Sequence, residues 1–164
     1  MITSFSEKSI IDSPDELIVH QVNCMAVMGS GVAKVIRDTY PKVYEEYNRI
    51  CNVADRKSLL GTFQIIRIGG LKNRYICNLF AQYTFGYNTN KRYTSYDAFD
   101  LAINRLALWC INNNIENISM PYKIGCGRGN ANWSIIFHMI CTAFKDTEIK
   151  ITFYKFKENA DYVY

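Results

Sequence analysis

One pattern, met twice, constrains this chain more than any other: an apolar run, a glycine turn, then a helical run. The first copy is Glu16-Leu17-Ile18-Val19-His20-Gln21-Val22, followed by Met28-Gly29-Ser30-Gly31 and helical spacing over 32–38. The second is the run 115–120, then Gly125-Cys126-Gly127-Arg128-Gly129 and helical spacing over 133–144. Short runs of branched apolar residues read as strands covered on both faces. A strand that hands its chain to a helix through a tight turn is half of a parallel crossover.

The segments between fit the same frame. Pro41 opens a second helix, with Val43, Tyr44 and Tyr47 at helical spacing, reaching about Cys51. Residues 62–68 and 75–80 read as a hairpin turning at Gly69-Gly70. Ser95 is an N-cap for a long helix carrying Ala98, Leu101, Ala102, Leu106 and Trp109, which ends at Asn112-Asn113-Asn114. Residues 149–156 form a last strand. No repeat, linker or low-complexity stretch interrupts the chain, so the expectation is one α/β domain over 1–164. It is a three-layer α/β/α sandwich with a mixed central sheet and right-handed crossovers.

Composition narrows the function. Of 164 residues, 49% are hydrophobic and 21% charged, which excludes a disordered chain. The net charge of +4 is scattered, which suits an anionic ligand and disfavours nucleic acid. The tyrosines, which could otherwise stack on bases, fall largely at core spacing. No run approaches a membrane span, and residues 1–13 lack the apolar core of a signal peptide, so the chain is expected in the cytoplasm. Six widely spaced cysteines with no CxxC pair read as reduced, mostly buried thiols. Only two histidines are present and no ligand spacing occurs, so neither a metal nor another cofactor is expected.

Glycine lets backbone approach a ligand closely, and a helix start offers free N–H groups at a positive dipole end. One such loop alone is best read as a tight turn. Two at the carboxyl ends of neighbouring strands can cradle a diphosphate. Lys34 stands where the dinucleotide fingerprint needs its last glycine, and no P-loop lysine pair comes after either loop, so neither of those motifs applies.

At this point a resemblance becomes specific. Ile118-Ser119-Met120-Pro121-Tyr122-Lys123-Ile124-Gly125-Cys126-Gly127, with Trp133 beyond it, resembles the second phosphate loop of macrodomains. His20-Gln21-Val22-Asn23-Cys24 through Met28-Gly29-Ser30-Gly31-Val32-Ala33 resembles the first. The likeness spans nearly the whole chain. It is closest to the branch of ADP-ribose 1″-phosphate phosphatases and terminal ADP-ribose–protein glycohydrolases, in its small phage and bacterial members. It implies that Gly29, Ser30, Gly31 and Val32 contact one phosphate and the distal ribose, that Asn23 approaches that ribose, and that Ile124, Gly125, Cys126 and Gly127 wrap the other phosphate.

The same likeness implies what is missing. Glycohydrolases of this branch use a lysine where this chain has Gln82, and an aspartate where it has Gly129. The acidic residue that holds adenine aligns with Lys8, beside Glu7, and one extra residue stands between Pro121 and Ile124. His20 matches a histidine proposed to act in the phosphatase members, at what reads as a strand end. It has two readings: a buried imidazole bonded to its surroundings, or a nucleophile or general acid or base. His138 reads as packing, as does the side chain of Cys126, which has no base partner in sequence. Arg92, Tyr93 and Tyr96 are candidates for the cleft rim. The preferred expectation is a hydrolase that removes the 1″-phosphate of ADP-ribose 1″-phosphate through His20. The alternatives are a non-catalytic reader of ADP-ribose or of ADP-ribosylated protein, and a glycohydrolase with non-standard residues.

Overall fold

Apolar runs that must be covered on both faces become the centre of the sheet, and the computed structural model, which describes residues 1–70 and 73–155, obeys that rule. Its six strands are β1 (Ile2–Ser6), β2 (Leu17–Asn23), β3 (Phe63–Arg67), β4 (Tyr75–Gln82), β5 (Asn117–Pro121) and β6 (Lys150–Tyr154). They lie in the order β1-β6-β5-β2-β4-β3. All neighbours are parallel except β3 and β4, which form the expected hairpin.

The five helices are α1 (Gly31–Thr39), α2 (Pro41–Val53), α3 (Arg56–Leu59), α4 (Tyr96–Asn112) and α5 (Trp133–Phe144). The helices α4 and α5 cover one face, burying Phe99, Leu106, Ile136 and Phe144 against Val19, Leu79 and Phe153. The helices α1, α2 and α3 cover the other, burying Ile36, Tyr47 and Leu59 against Ile18, Ile76 and Phe80. Each fully buried branched or aromatic side chain contributes about 1.5–3 kcal/mol of transfer free energy. The result is the three-layer α/β/α sandwich with a mixed sheet. The Ser95 hydroxyl accepts the Ala98 amide and Asn132 Oδ1 accepts that of Ser134, which sets the starts of α4 and α5.

Three elements escape the sequence pattern. The strand β1 is an edge strand whose Ile2 and Phe5 remain exposed, so its five residues carry no periodicity worth reading. A short 3-10 turn at Ile10–Asp12 and the four-residue α3 are below the length that periodicity detects. The strand expected from 115 starts at Asn117, because the Glu16 carboxylate takes the amides of Glu116 and Asn117 at its entry. The last strand ends at Tyr154, and Phe156 of its expected range lies outside the described residues. All six cysteines are unpaired, with Cys24, Cys51, Cys77 and Cys110 buried.

A polar row crosses the sheet beneath α2. His20, Asn78 and Gln64 stand at facing positions of β2, β4 and β3. His20 Nε2 lies 2.6 Å from Asn78 Oδ1, Asn78 Nδ2 donates to Gln64 Oε1 at 3.0 Å, and Gln64 Nε2 donates to the Glu46 carbonyl of α2 at 3.1 Å. Burial lowers the His20 imidazole from 6.5 to about 4, the bond to Asn78 offsetting only part of the shift. Between those values the unfolded chain takes up a proton that the fold refuses, so stability falls on acidification through that window. The loss from this group is at most about 3 kcal/mol. Denaturant unfolding from pH 7 to pH 4 should therefore steepen relative to His20→Gln, which keeps a hydrogen-bonding amide but cannot titrate. Parallel curves for the two proteins would mean that His20 titrates normally.

Candidate functional site

The strands β2 and β5 pair only at Leu17↔Ile118 and Ile18↔Ser119, then part. The helices that succeed them drive the split: β2 leads to α1 on one face of the sheet, and β5 leads to α5 on the other. Where neighbouring strands send their chains to opposite faces, a crevice opens at their carboxyl ends. Asn23, Gly29, Ser30, Gly31 and Val32 line one wall of that cleft. Ile124, Gly125 and Gly127 line the other, with His20 and Gln21 also bordering it. His20 is thus the fourth residue of β2 rather than its end, and the split in the sheet brings a mid-strand residue to the cleft.

The first wall is a helix start left free of side-chain caps. Gly31 has φ +59°, which turns the chain into α1, and Ser30 makes no capping bond. The first turn of α1 has no acidic residue, so its amides and dipole end face the cleft unneutralised. The preceding loop is held by Tyr47, a buried residue of α2. Its hydroxyl accepts the Val27 amide at 3.1 Å and lies 2.7 Å from the Asn23 carbonyl oxygen and 2.9 Å from Asn23 Oδ1. Asn23 Oδ1 also accepts the Met25 amide at 2.9 Å, and Nδ2 donates to the Val27 carbonyl at 2.8 Å. Asn23 is therefore a fastener of the loop as well as a cleft residue. Tyr47 was legible as core, but not as this fastener. The one available signal was that a buried tyrosine hydroxyl needs a partner.

The second wall begins with a turn in which the Ile124 amide bonds the Pro121 carbonyl at 3.1 Å and Lys123 has φ +60°. That turn carries the chain from the end of β5 into the glycine loop. Gly125 has φ +76°, and a Cβ there would stand 2.7 Å from Gln21 Oε1. The Cys126 side chain takes the packing role read from the sequence. It packs on the α4 and α5 core rather than lining the cleft, and burial pushes its thiol up to about 11, so it stays protonated.

The segment between β4 and α4 is fastened onto this loop. The Thr94 hydroxyl donates to the Gly125 carbonyl at 2.7 Å, and the Tyr93 and Thr94 amides both donate to the Gly129 carbonyl at 3.0 Å. Asn130 Nδ2 donates to the Thr89 carbonyl at 2.8 Å. Gly129 is so enclosed that a Cβ would fall on Thr94 Oγ1 and the Gly125 carbonyl. Gln82 is equally committed, accepting from Gln21 Nε2 at 3.0 Å and donating to the Thr84 carbonyl at 2.8 Å.

Other candidates fall outside the cleft. Arg92 stacks on Tyr96 at 3.8 Å, Tyr96 accepts the Asn132 amide, and the Tyr93 hydroxyl accepts the Asn88 amide, so these three brace the wall from behind. Glu7 faces Lys155 at 3.9 Å, and neither it nor Lys8 lines the cleft. His138 is exposed on α5. Among the cleft-lining residues, Lys123 and Arg128 are cationic and no carboxylate occurs. Arg128 stands 4.2 Å over the ring of Tyr87, and Phe85 and Tyr87 are exposed at the rim. The site is thus an electropositive cleft with amide-rich walls.

Comparison with known proteins agrees with this architecture. Human ADP-ribose glycohydrolase OARD1 is 28% identical over 140 residues, covering 84% of this chain and 80% of that protein. A DNA ADP-ribosyl glycohydrolase of Mycobacterium tuberculosis is 24% identical over 148 residues, 88% of this chain. The chain spans only 39% of that mycobacterial relative's length. The solved macrodomain of Mycobacterium tuberculosis DarG superposes with a TM-score of 0.79 at 19% identity, covering 96% of this chain and 99% of that one. The Macro domain family profile matches residues 19–140, and the chain belongs to that family.

Proposed function

We propose that the cleft binds ADP-ribose, or a derivative extended at its distal ribose, with the diphosphate held between the two glycine loops. One observation carries this reading: two strand ends and two glycine turns converge, with the uncapped start of α1, on one electropositive cleft free of carboxylates among its lining residues. Backbone amides at such positions are ready-made phosphate donors. The names of the human and mycobacterial relatives, both acting on ADP-ribose or ADP-ribosyl groups, support the same ligand class.

Glycosidic cleavage by a lysine and an aspartate finds no support here. Gln82 has both ends of its amide bonded, and Gly129 has no room for a side chain. A second reading, hydrolysis of ADP-ribose 1″-phosphate, is favoured by His20, a neutral imidazole at the edge of the cleft with an unpartnered Nδ1. Water would attack phosphorus and the bond from phosphorus to the C1″ oxygen would break, leaving ADP-ribose and inorganic phosphate. An imidazole lowered to about 4 serves this step as a lone-pair acceptor for the water, and not as an acid.

Calorimetry on Gly127→Glu tests the binding site. Gly127 lines the cleft with no positive φ, so the backbone tolerates a side chain, and an anion there should abolish ADP-ribose binding in a folded protein. Unchanged affinity would remove this loop from the site. Installing Gln82→Lys together with Gly129→Asp should yield no release of ADP-ribose from modified protein and a lower melting temperature. A gain of turnover would refute the blocked arrangement. Release of phosphate from ADP-ribose 1″-phosphate, if it runs through His20, should show no inflection near 6.5 and fall only toward pH 4. His20→Ala should lower it by roughly two orders of magnitude or more. An inflection at the ordinary imidazole value would assign the step to another group.

A further inference from the structure

Two buried side-chain acceptors belong to residues that border the cleft, and their orientation is fixed from outside it. On one face of β2 the fixing begins at the Glu46 carbonyl, which can only accept. It takes a proton of Gln64 Nε2, which turns Gln64 Oε1 toward Asn78 and obliges Asn78 Nδ2 to donate. Asn78 Oδ1 then faces His20 Nε2, and because that oxygen has no proton, the nitrogen must carry it. In a neutral ring the remaining nitrogen, Nδ1, is a bare lone pair, buried and without a partner.

On the other face of β2 two more backbone carbonyls act alike. The Thr84 carbonyl takes Gln82 Nε2, leaving Gln82 Oε1 to accept one proton of Gln21 Nε2. The Gly125 carbonyl takes the Thr94 hydroxyl proton, leaving the Thr94 oxygen to accept the other at 2.8 Å. Both Gln21 donors are consumed, and Gln21 Oε1 is buried and unpartnered. Among the described residues these two are the only buried side-chain polar atoms without a partner. They belong to adjacent residues that both border the cleft. Leaving an acceptor unmet in the interior is costly, so a pair at one cleft calls for donors brought by a ligand.

We propose that these relays make His20 Nδ1 and Gln21 Oε1 obligate acceptors that select a ligand carrying sugar hydroxyls beside its phosphates, with Gln64 and Asn78 as the positioning residues of His20. The walls of the cleft supply donors for anionic oxygens, and these two atoms supply the complementary acceptors. The inference rests on the cleft taking ADP-ribose and adds which atoms read the sugar.

Nitrogen-15 NMR of the full chain tests it. In the free protein His20 should be the Nε2–H tautomer with Nδ1 unprotonated. Saturation with ADP-ribose should move the Nδ1 resonance toward that of a hydrogen-bonded acceptor, while ADP, which lacks the second ribose, should leave it in place. Gln64→Leu, outside the cleft, should release the ring into both tautomers and lower ADP-ribose affinity roughly two- to tenfold, with ADP affinity unchanged. A purely structural Gln64 would leave the tautomer alone. An Nδ1-protonated ring in the free protein, or an Nδ1 resonance unmoved at ADP-ribose saturation, overturns the proposal. A protein that binds no ADP-ribose removes the functional reading and the hydroxyl contact with it, whereas the free-protein tautomer still decides the relay.

Discussion

The brevity of the β2–β5 pairing is the constraint on which the rest depends. After two residue pairs the strands stop sharing a ladder, because α1 and α5 must cover opposite faces of the sheet. A longer pairing would satisfy more backbone groups but close the crevice. The chain instead keeps β2 in register with β4 through Phe80, and concentrates the opening on one side of one strand. That choice sets a row of β2 residues at the cleft and aims two glycine turns at each other across it. The electropositive character then arises from the start of α1 and the loop amides together with Lys123 and Arg128.

The two walls are stiffened by different means. The second glycine loop and the segment before α4 are sewn together by backbone and threonine bonds, tightly enough to exclude a Cβ at Gly129, while the Tyr93 hydroxyl occupies the space beside Gly86. The first loop hangs on a single hub, where Tyr47 and Asn23 share the carbonyls and amides of residues 23–27 and Ala26 adopts φ +62°. The glycines at 86 and 129 therefore serve packing, whereas Gly31 and Gly125 serve turn geometry. A sequence reading that treats all glycines in a loop as ligand contacts merges these roles.

What was legible in the sequence was local. Val32, Ala98 and Trp133 announce helices through spacing, Ser95 adds a cap before Ala98, and the branched run from Leu17 to Val22 announces a buried strand, because these signals are written within one turn or one pleat. The two glycine loops were legible for the same reason. The relay was not: His20 and Asn78 are 58 residues apart and meet only through strand register, which no single-sequence period encodes. The commitment of Gln82 and the enclosure of Gly129 were hidden likewise, since both depend on Thr94, Gln21 and Gly125 arriving together. The departures at 82 and 129 were visible as letters, and only the packing gives them a physical meaning. For Cys126 the packing of the side chain was legible too, since no base partner accompanies it in the sequence.

A polar row under a helix on a sheet's inner face is an unusual thing to bury, since apolar residues of like volume would pack as well without desolvation. Its members are satisfied at every step from Glu46 to the imidazole, and the deficit is pushed to the final atom, on a residue that borders the cleft. The row from Thr84 and Gly125 through Gln82 and Thr94 ends the same way, at Gln21 on the opposite face. Had either deficit been a matter of imperfect packing, it would have no reason to fall on residues beside the split between β2 and β5. Two independent rows that begin at fixed backbone acceptors and both terminate in an unmet acceptor at adjacent positions of β2 share a direction. That direction is imposed by carbonyls that cannot donate, and it turns the sheet's interior into a device for holding two lone pairs in place.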